Sequence, residues 1–238
     1  MSKPFQFKQF SVLQDQCAMK IGTDGVLLGA WVNPTIQPMS ILDVGAGTGL
    51  IGLMMAQRFH MADVDALEID EAAFEQAVAN FEASPWNDRL FCYHAAFQEF
   101  VEEMDEAYDL IVSNPPFFPE GQKSPNEQRN VARFSDALPF DYLLKGMSQL
   151  LAEDGICALI IPFEQQEEVL NTANEFGLYP LRITHVNGTI EAGIKRSLLE
   201  LKLIETPSPI ITELVIEKAR HIYTDDYISL TKDFYLKM

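Results

Sequence analysis

The chain has 238 residues, 47% of them apolar and 22% charged, a balance that excludes wholesale disorder and suits one α/β domain with short additions. Its longest apolar run, Ile156 to Phe163, is eight residues, far below the roughly 20 that a membrane-spanning helix needs. A net charge of −18 weighs against nucleic acid as a partner, because phosphate binding draws on clustered Lys and Arg.

The acids are unevenly spread. Residues 98–109, "QEFVEEMDEAYD", carry six acids and no base, and read as a solvated face or loop. Residues 1–20 carry Lys3, Lys8 and Lys20 against Asp15 alone. The opening "MSKPFQFKQF" shows no apolar core or cleavage site of a signal peptide. Cys17, Cys92 and Cys157 are far apart, and no histidine pair has metal-ligand spacing. The expectation is a cytoplasmic protein with reduced thiols, no metal site and no membrane association.

In chain order, "CAMKIGTDGVLLGAW" (17–31) comes first, with Thr23 or Asp24 placed to cap a helix starting near Gly25. From residue 40 apolar runs alternate with helix-like stretches. "SILDVG" (40–45), "DVDALEI" (63–69), "RLFCYH" (89–94), "YDLIVS" (108–113) and "GICALIIP" (155–162) read as strands; 50–59, 71–82 and 141–152 read as helices. Apolar strands separated by helices predict a mostly parallel sheet covered on both faces. "LRITHV" (181–186) and "SLLELKL" (197–203) predict an antiparallel edge hairpin, "ELVIE" (213–217) a further short strand and "DDYISLTKDFYL" a closing helix. No repeat or linker divides the chain. The reading is one domain over 1–238, with 41–205 as core sheet, 1–40 as an N-terminal extension and 206–238 as a C-terminal strand and helix.

"ILDVGAGTGLIGL" (41–53) places Asp43, Gly45, Gly47 and Gly49 between the first core strand and its helix. Glycines there let the backbone turn sharply and let a ligand approach the helix N-terminus. Glu68 follows at the tip of the next strand, placed to accept hydrogen bonds from ribose hydroxyls, with Asp70 as the neighbouring alternative. "GTGLIG" (47–52) formally fits the GxGxxG of nicotinamide enzymes, but that match begins two residues into the turn. Read as Asp-x-Gly-x-Gly-x-Gly, the stretch resembles motif I of class I S-adenosylmethionine methyltransferases.

"SNPPF" (113–117) ends the fourth strand at the same edge of the sheet. The Asn114 side-chain oxygen and the Pro115 carbonyl can each accept one hydrogen bond from a planar NH2 group, orienting its nitrogen and favouring the positive charge that grows on it. Pro115 and Pro116 lock φ and hold these acceptors in place. Phe117 offers a flat face for a stacked base. The four residues resemble motif IV, [DNS]-P-P-[YFW], of amino-methyltransferases acting on adenine, cytosine, guanine or a protein glutamine.

Further segments narrow the resemblance. "FKQF" (7–10), "CAMKIGTDGVLLGAW", "LDVGAGTGL" (42–50), "SPW" (84–86), "SNPPFF" (113–118) and "FYLKM" (234–238) are together similar to the bacterial tRNA1(Val) (adenine-37-N6)-methyltransferase family. The resemblance implies a Rossmann-like class I methyltransferase fold with a seven-stranded sheet. It implies methyl transfer from S-adenosylmethionine to N6 of the adenine just 3′ of a valine tRNA anticodon, releasing S-adenosylhomocysteine. It assigns catalysis to Asn114, Pro115, Pro116 and Phe117. Cofactor contacts fall on Thr23, Asp24, Asp43, Gly45, Gly47, Gly49, Glu68, Phe97 and Asn114, with residues 1–40 completing the cofactor site. Two positions depart from the pattern: Phe118 stands where relatives often have Tyr, and Ala96 stands where many class I enzymes hold the cofactor's adenine with Asp. Backbone groups around Ala96 and Phe97 are then left for that task. Lys3, Lys8, Arg129, Arg133, Lys195 and Arg196 are the candidate tRNA contacts of a monomer. The rival readings are methylation of another RNA or DNA base or of a protein glutamine, a nicotinamide dehydrogenase, and a silent cofactor-binding module.

Overall fold

The computed structural model describes residues 3–17, 20–32, 37–116 and 138–238. A small antiparallel hairpin, β1 (Phe5–Gln6) and β2 (Ser11–Val12), precedes α1 (Thr23–Trp31). The alternating core follows: β3 (Ser40–Val44), α2 (Leu50–Arg58), β4 (Asp63–Glu68), α3 (Glu71–Glu82), β5 (Leu90–His94), α4 (Phe97–Glu103) and β6 (Tyr108–Ser113). After the NPP turn come α5 (Phe140–Leu150), β7 (Leu151–Pro162), a short 3-10 turn, α6 (Gln166–Glu175), β8 (Tyr179–Thr189) and β9 (Ile194–Lys202). The chain closes with β10 (Ile210–Ala219), β11 (Ile222–Tyr223) and α7 (Asp225–Thr231).

Among the described residues nine strands, two more than the seven expected, form the main sheet in the order β11-β10-β8-β9-β7-β6-β3-β4-β5. From β5 to β7 every pairing is parallel, while β9 runs antiparallel to both β7 and β8. The strands read as unbroken apolar runs because both their faces are buried. In β7, Ile156, Ala158 and Ile160 enter a core beneath α1 and α2, whereas Cys157, Leu159 and Ile161 enter a second core with α5 and α6. Alternate side chains point to opposite faces, so two cores demand continuous apolarity.

The expected mostly parallel sheet and the β8–β9 hairpin are both present, but the hairpin is not the edge. The stretch around "ELVIE" extends to ten residues and pairs parallel with β8, and β11 lies outside it. The acid run is not all loop either. Phe97, Phe100 and Val101 supply an apolar helical face at i, i+3, i+4 spacing that packs with α5, and the acids ride on its outer side. The closing helix is seven residues long. The residues after it return to the N-terminal hairpin through a Phe7–Tyr235 bridge and a Lys8 N–H to Phe234 carbonyl bond.

Candidate active site

The chain runs outward from β3 to β4 to β5, then returns to β6 on the other flank of β3. This reversal opens a crevice at the carboxyl ends of β3 and β6, the usual ligand position in open α/β sheets. Register fixes what meets there. Val44 pairs with Leu67 on one side and Ser113 on the other, so the glycine turn lies between Glu68 and Asn114. The Ser113 hydroxyl donates to the Val44 carbonyl at 2.7 Å, tying the two strand tips together.

Gly45, Gly47 and Gly49 all have positive φ, at 77°, 56° and 76°, a region open to glycine at little cost. Their surroundings differ. A β-carbon on Gly45 or Gly47 would meet nothing within 4 Å, whereas one on Gly49 would sit 2.6 Å from Phe81 Cε1. Gly49 thus serves helix-to-helix packing, and Gly45 and Gly47 leave an open cradle.

Asp43 is fully buried below this cradle. Its Oδ2 accepts from the Gly52 amide at 2.9 Å, while Oδ1 has no hydrogen-bond partner among the described residues. Burial above all raises its carboxyl to about 7, opposed by the Gly52 amide and assisted by the charge of Glu68. A buried acceptor without a partner normally costs free energy. Open backbone at Gly45 and Gly47 together with this spare oxygen fits a polar ligand laid across the turn.

Glu68 is more heavily used than strand-end placement alone implies. Oε2 accepts from the Gly47 amide at 2.7 Å, and Oε1 accepts from the Ile69 and Asp70 amides at 2.9 Å each. The carboxylate therefore clamps the glycine turn to the start of α3. A carboxylate offers about four acceptor sites, so three bonded amides leave one for a ribose hydroxyl. Asp70 caps α3, accepting from the Ala73 amide at 2.8 Å.

Asn114 is half-buried, Pro115 buried and Pro116 exposed. The first turn of α1 faces Asn114, since a β-carbon on Gly25 would lie 3.9 Å from its Nδ2. Thr23 and Asp24 do not cap this helix: the N-cap is Gly22, which makes no side-chain bond, and both residues lie inside the first turn. Asp24 instead accepts from Arg196 Nε at 2.8 Å, an ion pair that a helix N-terminus favours on its acidic side. The Phe97 ring is buried in the second core, where Gly146 leaves room for it. Its backbone follows Ala96, the N-cap of α4, just after the carboxyl end of β5. Phe117, Phe118, Arg129 and Arg133 lie outside the described residues.

Two residues that the sequence reading passed over hold the N-terminal segment in place. Asn80 on α3 bonds both backbone groups of Leu13 and also the Thr48 carbonyl, while Gln76 accepts from the Asp15 and Gln16 amides. The signal was available: two buried amides at i, i+4 on an otherwise apolar helix face. Beyond them, burial and the nearby Glu68, Asp70 and Asp15 push the Cys17 thiol up to about 11, which keeps it protonated and unsuited to nucleophilic work. Among the described residues no group of three or more His, Cys, Asp or Glu could hold a metal ion.

A family model described as methyltransferase small domain matches residues 22–137. The tRNA1(Val) (adenine(37)-N6)-methyltransferase of Flavobacterium johnsoniae is 59% identical over 234 residues, covering 98% of this chain and 100% of its own. The protein of the same name from Christiangramia forsetii is 55% identical over 239 residues, covering 100% and 99%. Among solved structures, a predicted O-methyltransferase from Agrobacterium tumefaciens aligns with a TM-score of 0.67 at 20% identity, covering 89% of this chain and 96% of its own, a likeness of fold alone. With end-to-end identity of this order, the chain belongs to the tRNA1(Val) (adenine(37)-N6)-methyltransferase family.

Proposed function

We propose that the protein methylates N6 of the adenine at position 37 of a valine tRNA, using S-adenosylmethionine and releasing S-adenosylhomocysteine. One observation carries the reading: the Asn114-Pro115 acceptors stand at the strand tip that Ser113 ties to the glycine turn. The family relatives carry that activity in their name. When bound at the turn, S-adenosylmethionine supplies an electrophilic methyl group on a sulfonium.

The remaining work falls to the chain. Gly45 and Gly47 admit the cofactor to the backbone, Asp43 offers its free oxygen, and Glu68 keeps its last acceptor site for a ribose hydroxyl. Thr23 and Asp24 border the site from α1, and the Ala96–Phe97 backbone holds the cofactor adenine in place of the absent Asp. The Asn114 side-chain oxygen and the Pro115 carbonyl each accept one hydrogen bond from the target NH2, which releases one proton as the nitrogen takes the methyl group. These bonds aim the nitrogen lone pair and stabilise positive charge developing on it, so catalysis rests on positioning and electrostatics. Pro115 and Pro116 stiffen the turn, and Phe117 supplies the ring face against which the adenine lies.

Lys3 and Lys195 are exposed and available to phosphate. Lys8 and Arg196 already have partners within the fold: Lys8 reaches the Lys232 carbonyl, and Arg196 reaches Asp24. We take the protein to act as a monomer in the cytoplasm; no helix among the described residues is long and apolar enough to cross a membrane. The reading is tested by incubating the protein with S-adenosylmethionine and unmodified tRNA, then identifying the methylated nucleoside by nuclease digestion and mass spectrometry. N6-methyladenosine is expected. Label confined to protein, or to a different base, overturns it.

A further inference from the structure

A second cavity, of about 650 Å³, lies between the two ends of the chain, within the range usual for ligand sites. Its walls include Phe5 from the N-terminal hairpin, Tyr223 from β11, Tyr227 from α7 and Tyr235 from the C-terminal "FYLKM", with Glu217 of β10 beside them. The rings lie in two contacting pairs. Tyr223 and Tyr227 are 5.2 Å apart between centroids at 35°, and Phe5 and Tyr235 are 6.3 Å apart, edge to face. The tyrosine hydroxyls influence one another: burial first, then the neighbouring Tyr235, Tyr223 and Glu217, raise the Tyr227 hydroxyl above its usual range. Flat apolar faces with donors and a carboxylate at their edges suit a planar heterocycle bearing N–H groups.

Two further observations narrow the ligand. The cavity and the reaction site share the first turn of α1: Thr23 lines the cavity, and Gly25 faces Asn114. Residues two apart on a helix point to nearly opposite sides, so the width of α1, about 10–12 Å, separates the cavity from Asn114, a span that a few nucleotides of single strand can bridge. Charge is the second. Residues 1–20 and 188–238, which meet here, carry ten Lys and Arg against nine Asp and Glu, whereas 21–187 carry seven against twenty-six. A polyanion approaching a protein of net charge −18 meets less repulsion along these terminal segments than along 21–187.

We infer that this cavity receives an unstacked RNA base neighbouring the target adenine, stacked on Tyr223 and hydrogen-bonded at its edge by Glu217. The inference rests on the tRNA reading above and adds a second recognition point to it. Terminal residues far apart in sequence would then act together as one base-binding wall. Single-stranded loops are the part of an RNA whose bases can splay out and stack on aromatic side chains in this way.

The test uses the full-length protein and an unmodified anticodon stem-loop RNA at one fixed ionic strength. Tyr223→Ala is expected to weaken RNA binding about tenfold or more, the order that stacking on one aromatic ring supplies. Its S-adenosylmethionine affinity stays at the wild-type value and the protein remains folded, and Tyr223→Phe restores RNA binding. In parallel, abasic substitutions are made one at a time around the target adenine and titrated with wild-type protein, a measurement that does not depend on any variant folding. One abasic position is expected to weaken binding as much as Tyr223→Ala does, and to have no further effect on that variant. Wild-type methyl transfer together with unchanged RNA affinity in Tyr223→Ala, or with no flanking position sensitive to base removal, overturns this inference alone. Absence of methyl transfer to RNA by the wild-type protein overturns both it and the tRNA reading.

Discussion

Truncating Glu68 separates a structural role from a ligand-binding one. Glu68→Ala removes the acceptor of three backbone amides, Gly47 at 2.7 Å and Ile69 and Asp70 at 2.9 Å each. Hydrogen bonds to a charged group contribute about 1.5–3 kcal/mol each. Water reaches part of the vacated site, since Glu68 sits at the sheet edge and keeps 9% of its surface exposed, so the net loss is placed at about 2–4 kcal/mol. For a domain of this size each kcal/mol lowers the melting temperature by about 2–4 °C. A fall on the order of 5–15 °C is therefore expected, along with loss of S-adenosylmethionine binding. Glu68→Gln keeps one carbonyl oxygen for Ile69 and Asp70, turns its NH2 toward Gly47, and forfeits one bond instead of three. Its melting temperature should fall by roughly a third as much, while its cofactor affinity drops by about tenfold if the remaining acceptor site serves a ribose hydroxyl. Differential scanning fluorimetry and titration calorimetry read the two effects independently. A Glu68→Ala protein with wild-type melting temperature would refute the clamp, and a Glu68→Gln protein with unchanged cofactor affinity would remove the ribose role or move it to Asp70.

Asn114→Ala should leave S-adenosylmethionine affinity intact and lower turnover by roughly 100-fold, the cost of one preorganised contact at a reacting group; single-turnover methyl transfer checks it. The glycines should fail in different ways: Gly47→Ala costs about 1 kcal/mol of backbone strain but blocks the cradle. Gly49→Ala, whose β-carbon would strike Phe81, adds about 1–3 kcal/mol of overpacking. Calorimetry and melting curves on the pair distinguish the two. Asp43 is held protonated to higher pH in the folded chain, near 7, than its ordinary 3.8. Its contribution is therefore most favourable below 3.8 and is lost as pH climbs from there to about 7, by at most about 1.4 kcal/mol per unit. Asp43→Asn keeps an acceptor for Gly52 and should flatten that slope, so melting curves at about pH 5 and about pH 8 that stay parallel to wild type would contradict the assignment.

The parallel core was legible because both faces of β3, β6 and β7 are buried, leaving apolar runs that no loop would carry. In the candidate site the backbone was legible where it dictates residue type, as at Gly45 and Gly47, whose positive φ angles match the expected glycine turn. Side-chain use was less so. Glu68 at a strand tip suggested a ribose contact, but its three amide bonds depend on how β4 turns into α3. Thr23 and Asp24 have the chemistry of caps, yet α1 begins at Thr23 and Asp24 is drawn to Arg196, 172 residues away in sequence. Partners so distant leave no local pattern. The α4 helix was hidden by its own acids, which masked the Phe97, Phe100 and Val101 spacing.

The central claim is that the loop at Asn114 presents one particular adenine amine to the methyl donor. It is tested most directly with two valine tRNA transcripts that differ only at position 37, adenine in one and guanine in the other, each incubated with the protein and labelled S-adenosylmethionine. Label should enter the adenine transcript alone and map by mass spectrometry to N6 of that residue. Equal labelling of the two transcripts, or label at any other position, would contradict the account.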